Sequence, residues 1–149
     1  MTMQAPEQIE PKAIGDYLEV MSKSVFQTGM SWKVVENKWP GIRDAFHDFD
    51  AEKVARMTID EMDELTRDTR VIRNRRMIEA IVTNAQMMLD LEKQHGAFQT
   101  YLRSHGGFEP LVKDLRKQFK FLGDMGSYHF LWVVKEEVPS YEDWRASRG

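Results

Sequence analysis

The 149 residues carry 42% hydrophobic side chains and a formal net charge of −3, enough apolar matter for one compact core and no whole-molecule attraction for a polyanion. The chain has no cysteine, which excludes disulfides, thiolate nucleophiles and cysteine-ligated zinc or iron–sulfur centres. No apolar run approaches the roughly 18 residues of a membrane span, and the first residues lack the basic-then-apolar order of a signal peptide, so a soluble, cytoplasmic protein is expected.

Residues 1–10, with Pro6 and the following Pro11, read as a loose lead-in, and Pro11 suits the first turn of a helix. Ile14, Tyr17, Leu18, Met21 and Val25 keep the spacing of one buried stripe, predicting a helix to about Thr28 that Gly29 ends. Ser31 is the expected N-cap of a short second helix bearing Trp32, Val34, Val35 and Trp39. Trp39-Pro40 should end it, because the residue before proline avoids helical backbone, and a third helix should run through Phe46. Asp50 then caps a helix with Val54 and Met57, and Thr58 with Glu61 has the form of a capping box. The longest helix is predicted from about Val71 to Glu92 on the stripe Ile78, Ile81, Val82, Ala85, Met88, Leu89. Shorter helices should carry Phe98, Tyr101 and Leu102, then Leu111 and Leu115 from Glu109-Pro110 to Phe119. A tight hairpin at residues 120–126 leads into a helix with Tyr128, Leu131, Trp132 and Lys135. With no alternating pattern anywhere, the expected fold is all-α: one domain over 1–149, with its helical core at 12–135 and an irregular tail at 136–149.

Several stretches have the right groups for chemistry. Residues 26–32 break one helix and start another with two bulky apolar side chains, and Trp32 and Trp39 there are either core anchors or a base-stacking surface. The second turn, with Gly123 and Gly126 ahead of a helix, could present backbone N–H groups to a phosphate, helped by Lys117 and Lys120. It could equally be an ordinary corner capped by Asp124. Arg67, Arg70, Arg73, Arg75 and Arg76 crowd five guanidinium groups into ten residues. On a helix Arg73 and Arg76 share a face that could reach phosphates, or the run could be a solvated face paired with Glu64, Asp68 and Glu79. The four histidines show no ligand spacing and Ser24 and Ser31 no neighbouring base, so neither a metal, a cofactor nor a hydrolase triad is expected.

Taken together, residues 26–58, 71–86 and 116–130 resemble, in order and spacing, the DNA-3-methyladenine glycosylase I family over about residues 16–130. The most specific pieces are Gly29-Met30-Ser31-Trp32, Ile72-Arg73-Asn74-Arg75, and Phe119-Lys120-Phe121-Leu122-Gly123 with Tyr128. The resemblance implies a helix–hairpin–helix glycosylase that flips an alkylated adenine out of duplex DNA in base-excision repair and hydrolyses its glycosidic bond, here as a monomer. By that resemblance Ser24, Gln27, Trp32 and Tyr128 line the base pocket. Gly29 and Met30 press into the duplex, while Arg73, Arg75, Lys120, Gly123, Asp124, Met125 and Gly126 meet DNA. The family's pocket glutamate, five residues before the turn glycine, is Ser24 here, and a neutral hydroxyl cannot stabilise a cationic base as a carboxylate does. Glu19 would substitute only in a rebuilt pocket, and residues 136–140 hold no Asp. The family's N-terminal aromatic contact and its Cys and His zinc ligands have no counterpart in the sequence, and Ser140 stands near the place of the distal His. The alternative that Ser24 raises is a DNA- or damage-binding module of the same fold without catalysis. A helical interaction protein with no DNA role is a third reading.

Overall fold

The computed structural model describes residues 7–148, and over them the protein is all-helical. The first helix, α1 (Ile14–Gln27), starts three residues after Pro11 because the Asp16 carboxylate accepts from the Lys12 and Ala13 amides at 2.8 and 3.1 Å, closing the first turn. Leu18, Met21 and Val25 are fully buried on its inner stripe, each contributing about 1.5–3 kcal/mol of transfer free energy. Residues 7–10 are not helical but are anchored: Ile9 donates its amide to Val133 O at 2.8 Å and packs on the core.

The break expected at Pro40 does not occur. One helix, α2 (Trp32–Ala45), runs through the proline and absorbs the third helix expected after it. Proline inside a helix removes one hydrogen bond and costs about 3 kcal/mol. Val35, Trp39, Ile42 and Phe46 nevertheless form one buried line spanning it. Trp39 stacks on Phe49 at 5.3 Å and meets Phe26 edge-on at 6.3 Å. Burial of that continuous line outweighs the lost bond. A left-handed turn, His47–Phe49, follows, with φ near +56° at all three residues. Each such non-glycine residue costs roughly 1–2 kcal/mol, which the burial of Phe46 and Phe49, stacked at 5.6 Å, offsets.

Asp50 caps α3 (Ala51–Ala55) by accepting from the Lys53 amide, and Thr58 caps α4 (Ile59–Leu65) by accepting from the Glu61 amide, both at 3.1 Å. Glu61 turns toward His47, 3.5 Å away. The longest helix is α5 (Arg75–His95), not the predicted 71–92. Asn74 caps it by accepting from the Met77 amide at 3.2 Å, so buried Val71 and Ile72 stay outside it. The expectation that Arg73 and Arg76 share a helical face fails for the same reason.

Three helices complete the core: α6 (Phe98–Leu102), α7 (Phe108–Gln118) and α8 (Asp124–Val133). The α5 helix packs against α1, α3, α4 and α6, while α8 packs against α1 and α7. The tail expected to be irregular contains α9 (Tyr141–Arg148), with Ser140 Oγ accepting from the Asp143 amide at 3.2 Å. Its Trp144 is buried against Tyr128, rings stacked at 4.6 Å, and this contact holds a helix too short and polar to announce itself by pattern. No helix among the described residues is long and apolar enough to cross a membrane.

Candidate functional site

Two glycine-bearing turns meet at the start of α5. In the first, between α1 and α2, an ideal Cβ on Gly29 would lie 2.6 Å from the Met77 methyl, so the backbone passes close over α5. In the second, between α7 and α8, the Arg76 guanidinium lies 5.9 Å over the Phe121 ring, a cation–π contact. Asn84, one of the few buried polar residues, grips that second turn on both sides: its Nδ2 donates to Lys120 O at 3.1 Å and its Oδ1 accepts from the Lys120 amide at 2.8 Å. The motifs do not single out Asn84. The signal that could have found it is a polar residue inside the apolar stripe of α5, which must find a partner.

The hairpin is held in an unusual backbone shape. Phe121 has φ +57°, a left-handed conformation that costs a bulky residue about 1–2 kcal/mol. Gly123, not Asp124, is the N-cap of α8, and as a glycine it brings no side chain to that end. The Asp124 carboxylate instead accepts from Arg116 Nη1 at 2.9 Å. An ideal Cβ on Gly123 would meet nothing in the protein within 4 Å. Beside it an open groove of about 630 Å³ is lined by Lys113, Arg116, Lys117, Phe121 and Gly123. Met30, Trp32, Phe121 and Met125 are exposed at the tips of the two turns, Trp32 by 57%.

Ser24 is buried. It is 3% exposed, its Oγ donates to Val20 O of its own helix at 3.4 Å, and an ideal Cβ on Gly126 would be 3.9 Å from the Ser24 Cβ. That is ordinary contact distance, while Leu122 Cδ1 would be crowded at 3.3 Å, so the first turn of α8 lies against α1 near this residue. Gln27, one turn further along α1, has a buried Nε2 with no hydrogen-bond partner among the described residues, and the same holds for His129 Nδ1 on α8. Burial, then the nearby Lys23 ammonium, hold His129 below the ordinary histidine pKa, so the ring is neutral near pH 7. Tyr128 is turned the other way. Its hydroxyl donates to Pro139 O at 2.7 Å, and its ring is closed in by Trp144, Tyr141 and Phe108.

Glu19 is committed elsewhere, accepting from Trp39 Nε1 at 2.9 Å with Arg43 Nε 3.7 Å away. The arginine run divides. Arg70 is bound by Asp68 and Asp44, and Arg75 by Asp63 and Glu79; of the expected partners Asp68 and Glu79 take part, while Asp44 and Asp63 stand in these pairs where Glu64 was expected. Arg73 and Lys120 are exposed. As for the zinc that the resemblance brings with it, the residues do not fit: the chain has no cysteine, and among the described residues no three His, Asp or Glu side chains are grouped to hold a metal. Ser140, near the place of the distal ligand, caps α9.

The comparisons with known proteins bear on the family and the fold. The methyladenine glycosylase family model matches residues 15–124. The DNA-3-methyladenine glycosylase of Haemophilus influenzae is 38% identical over 89 residues, which are 60% of this chain and 48% of the relative. Escherichia coli DNA-3-methyladenine glycosylase 1 is 32% identical over 126 residues, covering 70% of this chain and 67% of the relative. The chain therefore spans about half the length of the first of these relatives and two thirds of the second. Among solved structures, a 3-methyladenine DNA glycosylase I superposes with TM-score 0.73 at 26% identity, covering 85% of this chain and 81% of that one. The Staphylococcus aureus enzyme, described for its recognition of 3-methyladenine, superposes with TM-score 0.70 at 30% identity over 87% and 79% of the two chains. With the match running from α1 to the first residue of α8, the chain belongs to the methyladenine glycosylase family.

Proposed function

We propose that this protein is a base-excision repair glycosylase that flips an alkylated adenine, 3-methyladenine being the reference lesion, out of duplex DNA and hydrolyses its glycosidic bond. The observation that carries this reading is the meeting of both glycine turns at residues 76–77 of α5, with Met30, Trp32, Phe121 and Met125 exposed at their tips. An apolar tip such as Met30 fills the gap a flipped nucleotide leaves, and the Trp32 ring offers a face for the extruded base. At the second turn, the glycine at the N-cap of α8 and the open space beside it suit close approach of a phosphate. Lys113, Lys117, Lys120 and Arg73 supply cations for the flanking backbone. Arg75, held by two carboxylates, is left out of this interface, and Asp124 contributes to it by orienting Arg116 rather than by meeting DNA.

The chemistry asks little of the protein. A purine methylated at N3 is cationic and leaves readily: the bond from N9 to C1′ breaks with its electrons going to the base, and water adds to C1′ of the oxocarbenium-like sugar and loses its proton to solvent. Flipping, stacking and exclusion of bulk water can supply most of the catalysis. We take the protein to act as a monomer beside the chromosome in the cytoplasm, without a metal or cofactor.

A second reading is favoured by one observation: the place of the family's carboxylate is taken by buried Ser24, whose hydroxyl bonds its own helix. On that reading the fold binds damaged DNA and does not cleave it. Release of 3-methyladenine from alkylated duplex DNA separates the two. The glycosylase reading expects release that falls at least tenfold in Trp32→Ala, and Ser24→Glu raising the rate while lowering stability by about 2–3 kcal/mol, because it buries a charge. No release by the parent at any enzyme excess, with binding to the DNA retained, would leave only the binding module.

A further inference from the structure

Ser24 leaves the contact between α1 and α8 without a carboxylate, yet α8 brings to the same contact a polar group with nothing to bind. His129 lies three residues after Gly126, where an added Cβ would come 3.9 Å from Ser24 Cβ, so it rises from the adjacent face one turn along α8. Its Nδ1 is buried and has no hydrogen-bond partner among the described residues. A buried polar atom without a partner is a standing cost to the fold and calls for an explanation. On the α1 side the charged neighbour is Lys23, the residue before Ser24, whose ammonium is held by Glu36 at 2.5 Å and lies 5.5 Å over the Trp39 ring.

We propose that His129 Nδ1, in the tautomer with its proton on Nε2, accepts a hydrogen bond from the exocyclic amino group of the flipped purine. It would supply from α8 the base contact that Ser24 no longer offers from α1. This rests on the glycosylase reading above and adds to it the residue that reads the base. The chemistry is matched on both sides. An imidazolium would repel a cationic purine, whereas a neutral ring presents a lone pair, and the buried, Lys23-flanked position keeps the ring neutral. Methylation at N3 makes the purine amino group a stronger donor, and its bond to an acceptor shielded from water is charge-assisted. Asparagine at 129 would place an amide oxygen near the position of Nδ1, so it should replace the contact, whereas alanine should not.

The test titrates the protein with 3-methyladenine and with its N6,N6-dimethyl derivative, which lacks the amino hydrogens, by calorimetry and by imidazole nitrogen NMR. The expected result is a shift of the His129 Nδ1 resonance with 3-methyladenine. His129→Ala should bind that base, which is neutral once released, about 3- to 10-fold more weakly, the range of a hydrogen bond between neutral groups, and His129→Asn should recover most of the affinity. The dimethyl derivative should bind the parent as weakly as it binds His129→Ala. Binding of 3-methyladenine to the parent with an unmoved Nδ1 resonance, or with equal affinity in His129→Ala, overturns this inference and leaves the glycosylase reading standing. No binding of either base to the parent also overturns this inference, whereas the glycosylase reading falls only if 3-methyladenine is not released from alkylated duplex.

Discussion

Between α1 and α2 the turn is closed by bonds within a few residues. Thr28 Oγ1 donates to Val25 O at 2.6 Å, Ser31 accepts from the Val34 amide at a long 3.4 Å, and Met30 and Trp32 stand in solvent. Between α7 and α8 the hairpin is fixed by two Asn84 hydrogen bonds at 2.8 and 3.1 Å, by a left-handed Phe121, and by Arg76 over that ring. The difference teaches that two glycine turns which look alike in sequence are built for different work. A locally closed turn with apolar tips can enter a gap in a duplex, while a stiff one can grip a phosphate without paying ordering entropy on each encounter.

The largest effect should come from loosening the stiff turn. Asn84→Leu strips both backbone groups of Lys120 of their partner and should cost about 2–4 kcal/mol, read from urea unfolding midpoints. A loss below about 0.5 kcal/mol would show that the two turns are equally held. Next, Trp32→Ala should weaken binding to alkylated duplex by about 5- to 100-fold, the value of a lost stacking platform. Because the ring is 57% exposed, stability should change by no more than about 0.5 kcal/mol. A large drop in melting temperature would instead make Trp32 a structural anchor and remove the contrast. Among the cations, Arg73→Ala should lower the slope of log affinity against log salt by about 1, whereas Arg75→Ala, whose guanidinium is held by Asp63 and Glu79, should leave the slope unchanged.

The smallest effect concerns the contact of α1 with α8, which lies between the turns. The folded state holds His129 below the ordinary histidine value of 6.5, so the unfolded chain takes up that proton first as pH falls. The neutral ring's contribution is complete above 6.5 and is lost as pH falls below that value through the lowered folded one. His129→Gln should therefore flatten the decline of unfolding midpoints on acidification over that window. An unchanged pH profile would mean that the ring is not held neutral by its surroundings.

The sequence by itself determined the helical class and most of the element positions. Stripes such as Leu18, Met21 and Val25, and caps such as Ser31, Asp50 and Thr58, act within a few residues, where propensity and periodicity operate. It also held the two glycine turns and the substitution at Ser24. Tertiary structure decided what depends on partners distant in the chain. Burial of Trp39 against Phe49 and Phe26 carried α2 through Pro40, and Trp144 on Tyr128 made a helix of the tail. Asn84 found Lys120 36 residues away. The packing of α8 along α1 left His129 Nδ1 buried without a hydrogen-bond partner among the described residues. No local pattern encodes these contacts, because each becomes favourable only when a second element supplies the other half of a buried surface or hydrogen bond.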